Sequence, residues 1–369
     1  MKAKKLFTLL MIIISLLMFY GSTVKAGWNE MDTKTLSDLS AVWGSSGTEV
    51  VVVGEEGTAL RYNGSSWQSF SDVSPVIDFE DVWGSSGEDI YAVGNESVFH
   101  YDGTNWSEIP VTPYRLYAVW GSSATDIFAV GSLGTVYHYD GTEWTRTTAG
   151  EESLRGVWGT SATDVFAVGM NGSIVHYNGT TWEDMSIGDK SLYGIWGSSG
   201  SDVFAVGLDG TILHYDGTTW ETMNSGTTKT LFGIWGRSKR EVFAVGSLGT
   251  ILHYNGRKWK TMESGSIKTL SDIWGSSTTE VYAVGKGGTI LHYSCAVVSI
   301  YGEGSKEVRV LRGVRDNILS NSPEGRELIR LYYQWSPVIV EVMREDEEFE
   351  KEVKDMVDGV LLWIKESGE

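Results

Sequence analysis

The chain has 369 residues, room for one large domain and a small one, with 45 Gly, 16 Trp and only 5 Pro. Disordered linker chains tend to be Pro-rich and Trp-poor, so this balance excludes them and points to a turn-rich β protein. A formal net charge of −19 argues against binding nucleic acid or an anionic membrane through bulk electrostatics, but it names no partner.

In chain order, residues 1–26 read as a signal peptide. Lys2, Lys4 and Lys5 form a basic start, Leu6 to Tyr20 is an apolar run broken only by Thr8 and Ser15, and Val24-Lys25-Ala26 offers a cleavage site. A single-pass anchor would need about 20 apolar residues. The expectation is therefore an exported protein of the periplasm, cell surface or exterior. Cys295 is the only cysteine, so an internal disulfide is excluded and stability must come from packing.

From residue 39 to residue 293 one unit recurs seven times. Its Trp-Gly step falls at Trp43, Trp83, Trp120, Trp158, Trp196, Trp235 and Trp274, spaced by 37 to 40 residues. The fifth unit, residues 192–223, shows the pattern. Leu192 to Trp196 reads as a first strand, and Val203 to Val206 as a second, apolar on both faces. Thr211 to Tyr215 reads as a third strand and Trp220 to Met223 as a fourth. An apolar residue precedes each Trp by four: Leu39, Phe79, Leu116, Leu154, Leu192, Leu231 and Leu270. The pair Asp216-Gly217 predicts a type I′ hairpin with positive φ at both positions. Its counterparts are Asn63-Gly64, Asp102-Gly103, Asp140-Gly141, Asn178-Gly179 and Asn255-Gly256. Turn chemistry also accounts for the glycosylation-like triplets at Asn63 and Asn178. Seven four-stranded units predict an all-β, seven-bladed propeller over residues 27–294.

The seventh unit lacks its fourth strand. Trp28-Asn29-Glu30-Met31 has the Trp-x-x-Met form of the other fourth strands and lies 39 residues before Trp67, one repeat period. The N-terminal strand is therefore expected to close the ring, which leaves no open sheet edge.

Residues 295–369 change character, with higher charge and helical periodicity. Ser322-Pro323 and Ser336-Pro337 read as N-caps followed by Pro in the first turn. Three helices are expected, at about 307–320, 323–335 and 337–366, the last broken near Asp346. Met356, Val357, Val360, Leu361 and Ile364 form a stripe at helical spacing, for packing in a small α-helical module. Membrane contact is allowed only through these helices.

Several residue sets look like sites. All six histidines (His100, His138, His176, His214, His253 and His292) share one repeat position, which Arg61 fills in the first unit. One per blade, they cannot converge on a metal, so a repeated hydrogen-bonding or packing role is expected. An acid follows each Trp by six: Glu49, Asp89, Asp126, Asp164, Asp202, Glu241 and Glu280. These are expected to accept hydrogen bonds from the preceding Gly-Ser-Ser turn. Binding is better sought where the repeat varies. On the face that joins outer strands to the next inner strand and second strands to third, the candidate ligand-binding residues are Glu55, Glu56, Asn95, Glu96, Arg115, Met170, Asn171, Asp209 and Lys286. On the opposite face the sixth unit clusters Arg237, Lys239, Arg240, Arg257, Lys258 and Lys260. That is a candidate docking patch for an acidic partner or for the acidic segment Glu345 to Glu352. No nucleophile–base pair, metal spacing or phosphate loop departs from the repeat, so no catalytic residue, metal or cofactor is expected.

The segment Gly210-Thr211-Ile212-Leu213-His214-Tyr215-Asp216-Gly217-Thr218-Thr219-Trp220 resembles the Asp-box of sialidase-type propellers. It is closer to the repeats of photosystem II assembly-factor-like propellers and of exported bacterial propellers with VWGSS and VFAVG units. The resemblance spans residues 28–293 and implies a fold. The arginine triad, acid/base Asp and Tyr–Glu pair of sialidases have no match here. Cys295, Tyr301-Gly302, Leu311-Arg312, Arg315-Asp316, Gly325-Arg326, Leu331-Tyr332-Tyr333 and Ser336-Pro337 resemble the CFI-box C-terminal domain of exported bacterial proteins. Its usual Cys-Phe-Ile-Ala-Thr opening is replaced by Cys295-Ala296-Val297-Val298-Ser299. The expected function is a monomeric, non-catalytic scaffold binding a protein or a glycan. The alternatives are a glycosidase-like enzyme working at the channel mouth, with paired carboxylates among Glu55, Glu56, Glu96 and Asp209, or an assembly factor for an envelope complex.

Overall fold

A computed structural model describes residues 28–70, 77–111, 113–277, 280–294, 310–311 and 347–367. It holds seven four-stranded antiparallel sheets, the blades of a propeller. The inner strands, in order from blade one, are Leu39–Ser46, Asp81–Ser86, Leu116–Ser123, Leu154–Ser161, Leu192–Ser199, Leu231–Ser238 and Leu270–Ser277. In blade five the other strands are Asp202–Gly207, Ile212–Tyr215 and Trp220–Thr222, paired in chain order. Each second strand is a run of β-branched and aromatic residues buried on both faces; Val203, Ala205 and Val206 are fully inaccessible.

The core lies between blades. Phe204, Val206 and Ile212 of blade five pack with Leu231, Ile234, Val242, Ala244 and Trp259 of blade six. The Trp-Gly step explains how the blades engage. Each Trp lies over the Gly of the following blade, so a Cβ on Gly197 would sit 2.5 Å from Trp158 Cη2, and one on Gly84 2.7 Å from Trp43 Cη2. The relay closes, because a Cβ on Gly44 of blade one would meet Trp274 of blade seven at 2.7 Å. Gly197→Ala is expected to cost about 1–3 kcal/mol through overpacking, read as a lower urea midpoint. An unchanged midpoint would show that the ring flank has slack.

The seventh blade is completed as expected. Its sheet order is Asn29–Glu30, Thr289–Ser294, Glu280–Gly285, Leu270–Ser277. Met31 N–H donates to the Ile290 carbonyl at 2.8 Å, and Gly288 N–H to the Ser37 carbonyl at 3.0 Å. Trp28 is buried against Tyr293, with ring centroids 5.5 Å apart.

The hairpin expectation is corrected. At Asp216-Gly217 only the Gly has positive φ (+95°), and the loop spans four residues between the paired Tyr215 and Trp220. Asp216 Oδ1 accepts the N–H groups of Thr218 and Thr219 at 2.8 and 2.9 Å. The Thr218 hydroxyl and these two amides hold the Asp216 carboxyl down at about 2. This is an Asx-type turn, in which the side chain does the work assigned to a second left-handed residue. Asn63 and Asn178 act in the same way. The doubly left-handed turn lies elsewhere, at the tip between second and third strands, where Asp209 has φ 56° and Gly210 φ 72°.

Of the C-terminal module, the described residues hold one long helix, Glu347–Ser367, which overlaps the third expected helix, while the expected break near Asp346 lies outside the described residues. Met356, Val357 and Leu361 are half-buried in it, while Leu362 is exposed. Among the described residues no helix is long and apolar enough to cross a membrane. The signal peptide, Cys295, the Ser-Pro pairs, nearly all of the first expected helix and the whole of the second lie outside the described residues.

Candidate functional site

Repeated polar residues form a scaffold inside each blade. In blade three the Ser122 hydroxyl donates to Asp126 Oδ2 at 2.5 Å, and Asp126 Oδ1 meets His138 Nε2 at 2.7 Å. The imidazole stacks on Phe128 with centroids 4.1 Å apart. Blade one substitutes Arg61, which pairs with Glu49. In blades one to five the acid accepts from the turn, as expected, and in blades two to seven the histidine is its partner. Although serine, acid and histidine sit together, the hydroxyl donates to the carboxylate and not to the imidazole. Nucleophile activation needs the reverse arrangement.

Strands alternate in direction, so the tips between second and third strands share a face with the connections into each inner strand. Hydrogen bonds tie the two loop sets together: Leu208 N–H to the Ser191 carbonyl at 2.9 Å, and Gly134 N–H to the Glu152 carbonyl at 2.8 Å. Glu55, Glu56, Asn95, Glu96, Arg115, Asn171, Asp209 and Lys286 are exposed on this face, and Met170 is half-buried. Several are engaged across loops. Asp209 pairs with Lys190 at 2.6 Å, Lys286 with Asp38 at 2.5 Å, and Arg115 with Glu80. Glu56 accepts from the Ser37 hydroxyl at 3.1 Å. These charges therefore brace the loops.

Two further sets on the same face escaped the sequence reading. The first is aliphatic. Leu36, Leu133, Ile187, Leu248 and Ile267, at 88, 63, 39, 60 and 85% exposure, are the exposed large hydrophobics among the described propeller residues, and all lie in these tips and connections. Leu133 and Leu248 occupy the left-handed tip position (φ 55° and 56°) that Asn171 and Asp209 fill in blades four and five. A leucine there is strained as well as exposed.

The second set circles the channel mouth. In six blades the first residue after the inner strand's start is a β-bulge, unpaired with the second strand. The bulged residues are Ser40, Tyr117, Arg155, Tyr193, Phe232 and Ser271, with Glu80 at the same position in blade two. Bulges re-aim side chains, and here they bring neighbours on successive blades together. The Arg155 guanidinium lies 3.7 Å from the Tyr117 ring centroid, and Tyr193 and Phe232 are 5.4 Å apart. Arg155 Nε is buried and lacks a hydrogen-bond partner among the described residues. Blades three to six thus supply two adjacent pairs of aromatic and arginine side chains, Tyr117 with Arg155 and Tyr193 with Phe232, while blades seven and one supply serines. The signal was available: this position varies within an otherwise repeated strand.

Among the described residues two carboxyls are pushed upward, and neither is at a loop tip. Asp272 and Asp81, on the inner strands of blades seven and two, each accept a backbone N–H from the next blade, Val42 at 3.0 Å and Val119 at 2.9 Å. Burial pushes Asp272 up to about 7. Burial, then the charge of Asp272, pushes Asp81 well above the usual carboxylate range.

Neither a protein-family model nor a curated protein matches the sequence. Solved structures do. A structure described as YCF48 bound to D1 peptide is 16% identical with a TM-score of 0.62, covering 74% of this chain and 99% of its own. YCF48 from Cyanidioschyzon merolae is 15% identical with a TM-score of 0.61, covering 73% and 99%. The WD40 β-propeller domain of Doa1 is 12% identical with a TM-score of 0.61, covering 74% and 97%. At such identities the likeness is one of fold.

Proposed function

We propose that this chain is an exported, non-catalytic scaffold that docks a protein partner on its loop-bearing face, centred on the channel mouth. The observation that carries the reading is that the exposed large aliphatic side chains of the described propeller residues all lie on that face, with two leucines held there in a strained turn. A folded protein gains nothing internally from an exposed leucine with positive φ, and local strain of this kind gathers at binding surfaces. The pairs Tyr117–Arg155 and Tyr193–Phe232 add the residue types that dominate binding hot spots. That one similar propeller is described with a bound peptide supports a polypeptide over other partners. Export rests on the basic and apolar pattern of residues 1–26, and a role in assembling an envelope complex is one form the docking could take.

Leu133→Asn and Leu248→Asn test the reading from two sides. Asn tolerates the left-handed turn, as Asn171 does in blade four, so each change is expected to stabilise the fold by up to about 1 kcal/mol. The double variant, with Ile267→Ser added, is expected to lose the protein that the native chain captures from envelope extract. Equal capture by a well-folded variant would sink the proposal. A glycan array run beside the capture covers the second partner class, because the Tyr193–Phe232 pair could also stack on sugar rings. A glycan hit without a protein hit would replace the protein reading.

A further inference from the structure

Blade six departs from the repeat on the face opposite the loop tips. In blade five the first turn reads Gly197-Ser198-Ser199-Gly200-Ser201, and the hairpin reads Asp216-Gly217-Thr218-Thr219-Trp220-Glu221. The corresponding turns of blade six carry Arg237, Lys239, Arg240, Arg257, Lys258 and Lys260. Closing the hairpin does not require them. Asn255 Oδ1 accepts from the backbone N–H of Arg257 and Lys258 at 3.1 and 3.2 Å, whatever side chains those residues bear. All six cations are exposed. Among the described residues Lys239, Arg240, Arg257, Lys258 and Lys260 have no carboxylate partner.

Lys239 and Arg240 also line a cleft of about 770 Å³ between blades five and six, with Ser199, Ser201, Tyr254 and Gly256. The two carboxylates in that cleft are already engaged. Asp202 is held by Ser198 and His214, and Asp216 caps its own hairpin. The cleft therefore sets two cations with no carboxylate partner among the described residues beside hydroxyl groups.

We infer that this surface binds a short Asp/Glu-rich segment of a partner protein, independently of the loop face. Charge complementarity supplies the attraction, and the whole-molecule charge selects the kind of ligand. A long, uniformly charged polyanion or an anionic bilayer would meet the field of a chain with net charge −19. A short acidic segment, shorter than a few Debye lengths, feels mainly the local cations.

The probe is a fluorescent octapeptide of alternating Glu and Asp, titrated into the full chain. Anisotropy is expected to report binding that weakens as salt rises from about 50 to 200 mM. The control variant rewrites blade six with the residues of blade five: R237S, K239G, R240S, R257T, K258T and K260E. Every one of these residues already works at the equivalent position, so the variant is expected to fold, which its melting curve checks. It should bind the octapeptide about tenfold more weakly or worse, as several exposed charge contacts are lost together. Lysine footprinting should show protection of Lys239, Lys258 and Lys260 by the peptide. No binding at low salt, or equal binding by the folded variant, overturns the inference. Binding of heparin oligosaccharides or of vesicles rich in phosphatidylserine in place of the peptide overturns it in favour of those ligands.

Discussion

Deleting residues 27–35 is expected to lower the melting temperature of the whole propeller by on the order of 10 °C. The segment contributes Trp28, buried against Tyr293, and Met31, which packs with a cluster shared by blades one and seven. Loss of a buried Trp alone costs roughly 3–5 kcal/mol, and each kcal/mol moves the midpoint of a domain this size by about 2–4 °C. Further losses come from the Met31 N–H bond to Ile290 and the Thr33 hydroxyl bond to the Gly288 carbonyl at 3.0 Å. Removing the strand also bares the edge of Thr289–Ser294, a template for association between chains. Calorimetry and light scattering together read both effects. A peptide of residues 27–35 added in trans should recover part of the loss. A truncated protein that melts as the full chain does, without aggregating, would rule out the clasp.

Asp272→Asn is expected to make the protein more stable at neutral and alkaline pH. Folding raises the Asp272 carboxyl to about 7 through burial, so the native state holds its proton more tightly than the unfolded chain does. Its contribution is complete below about pH 4 and is lost as pH rises through about 7. A shift of this size corresponds to up to roughly 4 kcal/mol across that window. Asp81 is displaced in the same direction, and an ionised Asp272 makes its own ionisation harder still. Asn keeps an acceptor for the Val42 N–H while removing the charge. Melting temperatures of the two proteins are expected to converge near pH 4 and to separate in favour of the variant by pH 8. Parallel curves, or a variant less stable at pH 8, would refute the assignment.

Much of the ring was legible because it repeats. A Trp-Gly step that recurs seven times marks every inner strand, and Trp28 to Met31 could be matched to the gap in the seventh unit by form and period alone. What escaped depended on conformations that residue type leaves open. Asp216-Gly217 satisfies both a type I′ turn and an Asx turn, and only the backbone decides between them. Tyr117, Arg155, Tyr193 and Phe232 were hidden because a bulge breaks the two-residue alternation that sequence reading relies on. The charged tip residues share one face by strand order, but the pairing of Asp209 with Lys190 and of Lys286 with Asp38 needs loop geometry. Leu133 and Leu248 read as ordinary loop variation until their φ values set them apart.

The relay of tryptophans has a consequence for how such a chain can change over time. Each blade offers its neighbour the same indole and receives one on the same glycine, so the blades meet through a standard coupling. Away from blade-specific links such as Asp81 to Val119 and Asp272 to Val42, a tip can then be rewritten, or a unit copied over another, while the coupling between adjacent units stays the same. Recombination between repeats becomes a source of new loop combinations on an unchanged chassis. Leucines at the tips of blades three and six, and cations at the turns of blade six alone, are changes the shared coupling accommodates.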